Sequence, residues 1–204
     1  MKLSACIVVY NGYDEALKAA QTVLQYTRRY PLTLYLVDNA SPDGSGPRLE
    51  QALREGLLAP QAGQKVVVHC RTRNGGFGTG HNMVLPELDS AFHFILNPDI
   101  QLTADTLSGL ADWMAAHPDA VMARPSLVFP DGRPQQLPLR RCSMRAMLYR
   151  QLPALKFWKK HNDHYLMLDA DLSHPVSIEF CTGSFAGVRT EAFRAVGGFD
   201  ESYF

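Results

Sequence analysis

The chain has 204 residues, 46% of them apolar, with 20 Lys and Arg against 20 Asp and Glu. That length holds one domain with a sizeable core, and the charge balance leaves no global field to draw nucleic acid or an acidic polymer, so any electrostatic function is local. No apolar run approaches the roughly 20 residues that cross a bilayer, no signal-peptide core opens the chain, and Cys6, Cys70, Cys142 and Cys181 form no Cys-x-x-Cys pair, so a reducing, cytoplasmic setting is expected.

The apolar run 3–10 reads as a first strand, broken by Asn11 and Gly12 and followed by a helix with Ala16, Leu17, Ala20, Val23 and Leu24 on one face. A second strand, 32–37, ends at Asp38 and Asn39; a turn-rich loop, 41–47, then leads to a helix carrying Leu49, Leu53 and Leu57. The third strand is 65–70, and a glycine-rich loop from Asn74 to Gly80 enters a short helix that ends near Pro86. Phe92, His93, Phe94, Ile95 and Leu96 form a fourth, buried strand that Asn97 and Pro98 stop, leaving Asp99 at its carboxyl end. A helix from Thr103, its own cap, to His117 is stopped by Pro118, with Leu107, Leu110, Ala111 and Met114 inward. Strands alternating with helices at this spacing predict an α/β fold with a mainly parallel central sheet flanked by helices.

After Pro118 the pattern becomes mixed. Residues 126–129 and 135–137 around Pro130, Asp131 and Gly132 read as a hairpin. Residues 139–160 contain seven Arg and Lys among Leu, Met, Phe and Trp and no acid, a composition suited either to peripheral contact with an anionic membrane surface or a phosphorylated acceptor, or to a solvated helix face whose apolar side packs on the sheet. Short strands are expected at 176–181 and 184–188, then a helix capped by Thr190 and stopped by Gly197.

Two adjacent strand ends present carboxylates, Asp38 and Asp99, on the rim where open α/β sheets bind ligands. Side by side, Asp38 and Asn39 can meet a base N–H or ribose hydroxyls, but taken alone they read first as an Asx turn preceding Ser41, Pro42, Asp43 and Gly44. The glycine-rich loop allows close backbone approach to a phosphate or sugar, but its spacing fails the G-x-G-x-x-G test, since His81 or Met83 occupies the final position. There is no G-K-[ST] of a P-loop and no H-E-x-x-H of a metal hydrolase.

The chain resembles the family-2 glycosyltransferases of the GT-A fold, and among them the bacterial rhamnosyltransferase-like members that build surface polysaccharides. The resemblance rests on Ile7 to Asn11, Val37 to Ser41, Asn74 to Asn82, Leu96 to Asp99, and Thr182 with Gly183 ahead of Gly197 to Glu201. It implies a single GT-A-like (Rossmann-like nucleotide-diphospho-sugar transferase) domain over 1–204, with a nucleotide-binding half, 1–118, and an acceptor-side half, 119–204, incomplete at its C-terminus.

Carried onto this chain, the resemblance implies that Tyr10, Asn11, Asp38 and Asn39 meet the base and ribose. It implies further that Asn74, Gly75, Phe77, Gly80 and Asn82 line the nucleotide-sugar site, and that Thr182 and Gly183 face the acceptor. Asn97 and Asp99 stand where the family has its D-x-D-like motif; with Asn in the first position, Asp99 alone would hold Mg²⁺ or Mn²⁺ on the diphosphate. The implied reaction is inverting transfer from a nucleotide-diphosphate sugar, dTDP-rhamnose by resemblance, to a saccharide or lipid-linked acceptor, at the inner face of the plasma membrane. The implied catalytic base lies beyond Phe204, which makes a catalytically incomplete nucleotide-sugar-binding or interaction module the competing reading. A sugar nucleotidyltransferase is less well matched, because no Arg or Lys follows the first strand until Lys18. Nothing in the sequence sets an oligomeric state.

Overall fold

In a computed structural model of the chain, residues 1–135, 140, 163–178, 180 and 183–203 are described. The chain divides into two compact units, Met1–Pro125 with Gly183–Phe204, and Ser126–Thr182. The first holds the elements β1 (Leu3–Val9), α1 (Tyr13–Tyr26), β2 (Leu32–Asp38), α2 (Ser45–Arg54), β3 (Gln64–Cys70), α3 (Gly76–Asn82) and β4 (Phe92–Leu96). It continues with α4 (Thr106–Ala116), β5 (Met122–Ala123), β6 (Phe185–Arg189) and α5 (Thr190–Ala195).

The sheet order is β3-β2-β1-β4-β6-β5. β1, β2, β3 and β4 are parallel, with Val9 beside Asp38 and Asp38 beside Cys70 in register, while β6 runs antiparallel to both β4 and β5. Every residue of β1, β2 and β4 is buried, as expected for strands covered on both faces. On one face Cys6, Val8, Tyr35, Val37 and Ile95 pack with Val84, Leu88, Val188 and Phe193. Burying each aliphatic side chain of that size contributes about 1.5–3 kcal/mol. α1 turns Ala16, Ala19, Ala20, Val23 and Leu24 inward, and Asp112 of α4 ties down the chain after α1 through Arg29 at 2.5 Å and the Tyr30 hydroxyl at 2.6 Å.

Several expected boundaries move. The glycine-rich stretch is not a loop from 74 to 80 but is itself helical from Gly76. α4 begins at Thr106, because Asp105 rather than Thr103 caps it, its carboxylate accepting from the Ser108 N–H at 3.3 Å. Thr190 caps nothing; it is the first residue of α5, and its buried hydroxyl lies 3.0 Å from that of Ser90. Leu57 lies beyond the end of α2 and is exposed, its place in the core taken by Leu58. Cys70, at the end of the edge strand, is also exposed.

In the second unit the expected hairpin is present in part: Val128 bridges Pro134, and the Phe129 N–H donates to Arg133 O at 2.8 Å. Its second arm beyond Gln135 lies outside the described residues, as do 141–162, which contain most of the basic segment. No strand forms at 176–178; residues 179, 181 and 182 lie outside the described set.

Candidate functional site

The strand order reverses between β1 and β4, and at such a switch point the loops leaving the two strands part and open a crevice beyond the carboxyl ends. Four strand ends line this rim. Asp38 is the last residue of β2 and Asp99 follows the end of β4, with β1 between them, so the two carboxylates share the rim but their strands are not adjacent as expected.

Asp38 is 3% exposed. One carboxylate oxygen, Oδ2, accepts from the Ser41 N–H at 3.2 Å, the local turn expected of an Asx residue. The other, Oδ1, is buried with no partner. A buried acceptor left in this state costs about 1–3 kcal/mol, so it marks a place where a donor group belongs. Gly46 makes the arrangement possible: a Cβ there would lie 2.7 Å from Asp38 Oδ2 and 2.9 Å from Cys70 Sγ. Partial burial, then the neighbouring Glu50, pushes the Cys70 thiol up to about 11, so it stays neutral beside Asp38.

The backbone beside Asp38 is strained. Asn11 and Ala40 have φ of 54° and 61°, and for Ala the left-handed conformation costs about 1–2 kcal/mol. The two turns are laced together, Asn11 N–H to Ser41 Oγ at 3.0 Å and Gly12 N–H to Asp43 Oδ2 at 3.1 Å. The Ser45 hydroxyl, with the N–H groups of Ser45 and Gly12, holds Asp43 below the usual carboxylate range. Tyr10, 49% exposed, projects its ring from the end of β1.

Not every expected contact residue is free to meet a ligand. Asn39 is buried with its amide fully used: Nδ2 donates to Asn74 Oδ1 at 2.7 Å and to Gly76 O at 3.0 Å, while Oδ1 accepts from Arg71 Nη1 at 2.6 Å and Gly75 N at 3.3 Å. It therefore organises the rim, together with Asn74 and Gly75, instead of reaching outward. Gly80 faces the sheet, because a Cβ there would lie 2.7 Å from Val8 Cγ1; the missing side chain is what lets α3 lie against β1. Asn82 is spent on the backbone of Phe199 and on Glu201. Phe77 is 37% exposed, and its ring would lie 3.1 Å from a Cβ on Gly183. Thr182 lies outside the described residues.

On the other side of the crevice, the Asn97 N–H donates to Ser184 O at 2.9 Å and its carbonyl receives the Ile100 N–H at 3.3 Å, a tight turn that presents Asp99. Asp99 is exposed and makes no hydrogen bond or ion pair among the described residues. Sequence reasoning overlooked Arg71, a guanidinium one residue past β3 with no carboxylate partner among the described residues. Two arginines, Arg71 and Arg73, directly after an apolar strand were the available signal.

The family model for glycosyl transferase family 2 matches residues 4–197, nearly the whole chain. The chain belongs to this family. Among curated relatives, the family-2 chain is 28% identical over 190 residues to the N-acetylglucosaminyl-diphospho-decaprenol L-rhamnosyltransferase of Mycobacterium tuberculosis, a match that covers 85% of the chain and 57% of the relative. Its fold is that of mannosyltransferase PcManGT from Pyrobaculum calidifontis, solved with GDP-Man and Mn²⁺, at a TM-score of 0.62 and 17% identity over 98% of this chain and 47% of that one. Residues 1–349 of TarS from S. aureus, solved with UDP, align at a TM-score of 0.60 and 17% identity over 99% of this chain and 51% of that one. The family-2 chain thus has the α/β GT-A fold and spans about half the length of the proteins it matches.

Proposed function

We infer that this chain forms the donor-binding part of a glycosyltransferase that moves a sugar from a nucleotide diphosphate to a saccharide or lipid-linked acceptor in cell-surface polysaccharide synthesis. The observation that carries the reading is the pairing, across the β1/β4 crevice, of a buried carboxylate oxygen with no partner on Asp38 and a free carboxylate on Asp99. Asp38 Oδ1 accepts from a base N–H or ribose hydroxyl, and Tyr10 covers the base. Arg71 supplies a cation on the same rim for a phosphate. Likeness to the mycobacterial L-rhamnosyltransferase favours rhamnose as the sugar transferred, and dTDP-rhamnose is the donor we propose.

Asp99 fits a divalent cation of the Mg²⁺ or Mn²⁺ type. No cluster of three or more ligating side chains exists among the described residues, so Asp99 would hold the ion together with donor phosphates and water, the oxygen ligands that such ions take. Once bound there, the ion offsets negative charge on the departing nucleoside diphosphate. In-line attack by an acceptor hydroxyl also needs a base. Asp200 Oδ1 is engaged in its own turn, accepting from the Ser202 N–H at 2.9 Å, and Glu201 Oε1 accepts from Asn82 Nδ2 of α3 at 2.9 Å, and neither is assigned that role. The division into a donor half, 1–118, and an acceptor-side half, 119–204, is part of the same proposal. So is contact of the basic segment 139–160 with an anionic membrane surface, where a lipid-linked acceptor would lie.

Calorimetric titration with dTDP, UDP and GDP in the presence of Mn²⁺ tests the reading. At least one should bind, and Asp38→Ala should weaken that binding about tenfold, the equivalent of about 1.4 kcal/mol. No binding of any of the three at millimolar concentration would refute it.

A further inference from the structure

Two glycine-rich stretches more than a hundred residues apart are fitted to one another. Asn82, at the end of α3, donates through Nδ2 to Phe199 O at 2.8 Å and to Glu201 Oε1 at 2.9 Å, while its Oδ1 accepts from Phe199 N at 2.8 Å. One side-chain amide thus pairs with both backbone groups of a residue in the turn that follows α5. Gly198, at φ 79°, is required by this pairing, because a Cβ there would overlap Asn82 Oδ1. Gly78 is required from the other side, since its Cβ would lie 2.8 Å from Phe199 Cβ. The Phe199 ring closes the joint against Phe77 at 5.6 Å and His81 at 5.7 Å between centroids.

α3 depends on such a joint. It has seven residues, three of them glycine, each about 1 kcal/mol worse than Ala in a helix, and a helix so short does not persist alone. At its start Asn39 holds the Gly76 carbonyl; at its end Asn82 holds the turn. Both ends are fixed by tertiary contacts, the start by the Asn39 side chain and the end by its own Asn82 on the turn.

We propose that Asn82 is a positioning residue: it locks the turn 198–201 onto α3 and so sets the segment 74–82, whose Asn74 and Gly75 organise the rim of the donor site with Asn39. The functional half of this statement rests on the donor-site reading above. The joint itself does not.

Backbone hydrogen exchange and dTDP titration with Mn²⁺, on the full chain, separate the two. Asn82→Ala should speed exchange at Phe199 and across 79–83 at least tenfold and weaken the nucleotide at least fivefold at a temperature where the variant is fully folded. Val23→Ala, remote from the joint and compared at an equal distance below its melting temperature, should do neither. Gly198→Ala should reproduce the loss, and Asn82→Ala with Gly198→Ala should bind no more weakly than Asn82→Ala alone, because both remove one interaction. Unchanged protection of α3 in Asn82→Ala overturns the proposal whatever the nucleotide does. So does faster exchange with the affinity of the Val23→Ala control. A parent chain that binds no nucleoside diphosphate refutes the donor reading instead, and the exchange pattern still judges the joint.

Discussion

Gly80 shows at the scale of one residue why the glycines of 74–82 are there. With Val8 Cγ1 only 2.7 Å from where a Cβ would stand, Gly80→Ala must push α3 off β1 or force Val8 from its rotamer, a cost of about 1–3 kcal/mol. Urea denaturation should show that loss, and Val8→Ala in the same chain should return part of it; additive losses would mean that the two do not touch. Asp38 and Asp99 were legible in the sequence as carboxylates after apolar strands, because period and strand-breaking residues locate a strand end directly. The roles of Asn39, Gly80 and Asn82 were not. A sequence shows that an amide or a glycine is present at a rim, whereas only the fold shows that Asn39 and Asn82 are consumed by backbone partners and that Gly80 faces inward.

Among the elements, α4 illustrates how a helix is finished from outside. Its carboxyl end is held by Arg189 from β6, which donates to Met114 O at 2.6 Å and His117 O at 3.0 Å through Nη2 and to Ala120 O at 3.0 Å through Nε, with its guanidinium over Phe92. Cations suit this end of a helix dipole, and hydrogen bonds from a charged group are worth about 1.5–3 kcal/mol each. Arg189→Met should therefore lower stability by about 2 kcal/mol or more in the same assay, with Arg189→Lys recovering a part; an unchanged midpoint would contradict this role. The four parallel strands were readable because each is a short apolar run bounded by Asn, Asp, Gly or Pro. β5 was not, having two residues and no pattern of its own. α3 was read as a loop because local glycine content argues against a helix, and contacts with Val8, Phe199 and Asn39 override it.

For the whole molecule, two buried histidines set the response to acid. Burial holds His81 down to about 3, with His93 adding to the effect, and burial alone holds His93 to about 3, against an ordinary value of 6.5. Both nitrogens of His81 and Nε2 of His93 lack partners, so neither site welcomes a proton. The unfolded chain binds protons at these sites below about pH 6.5 while the folded chain refuses them down to about 3; stability is thus fully present above pH 6.5 and falls as pH drops through that window. The slope approaches about 1 kcal/mol per pH unit for each histidine, and His81→Leu should remove close to half of it. Denaturation midpoints across pH 4–7 that do not differ in slope between the two proteins would contradict this.

The donor site and the fold meet in a thermal-shift measurement with dTDP, UDP or GDP, with and without Mn²⁺, on the parent chain and on Asp99→Ala. Ligand at a hundred times its dissociation constant stabilises the native state by about 2.7 kcal/mol, enough for a shift of several degrees. The expected result is a larger rise in melting temperature with Mn²⁺ than without, and loss of that metal-dependent increment in Asp99→Ala. No rise with any nucleotide, or the same Mn²⁺-dependent rise without the Asp99 carboxylate, would contradict the assignment of the β1/β4 crevice as a metal-assisted nucleotide-sugar site.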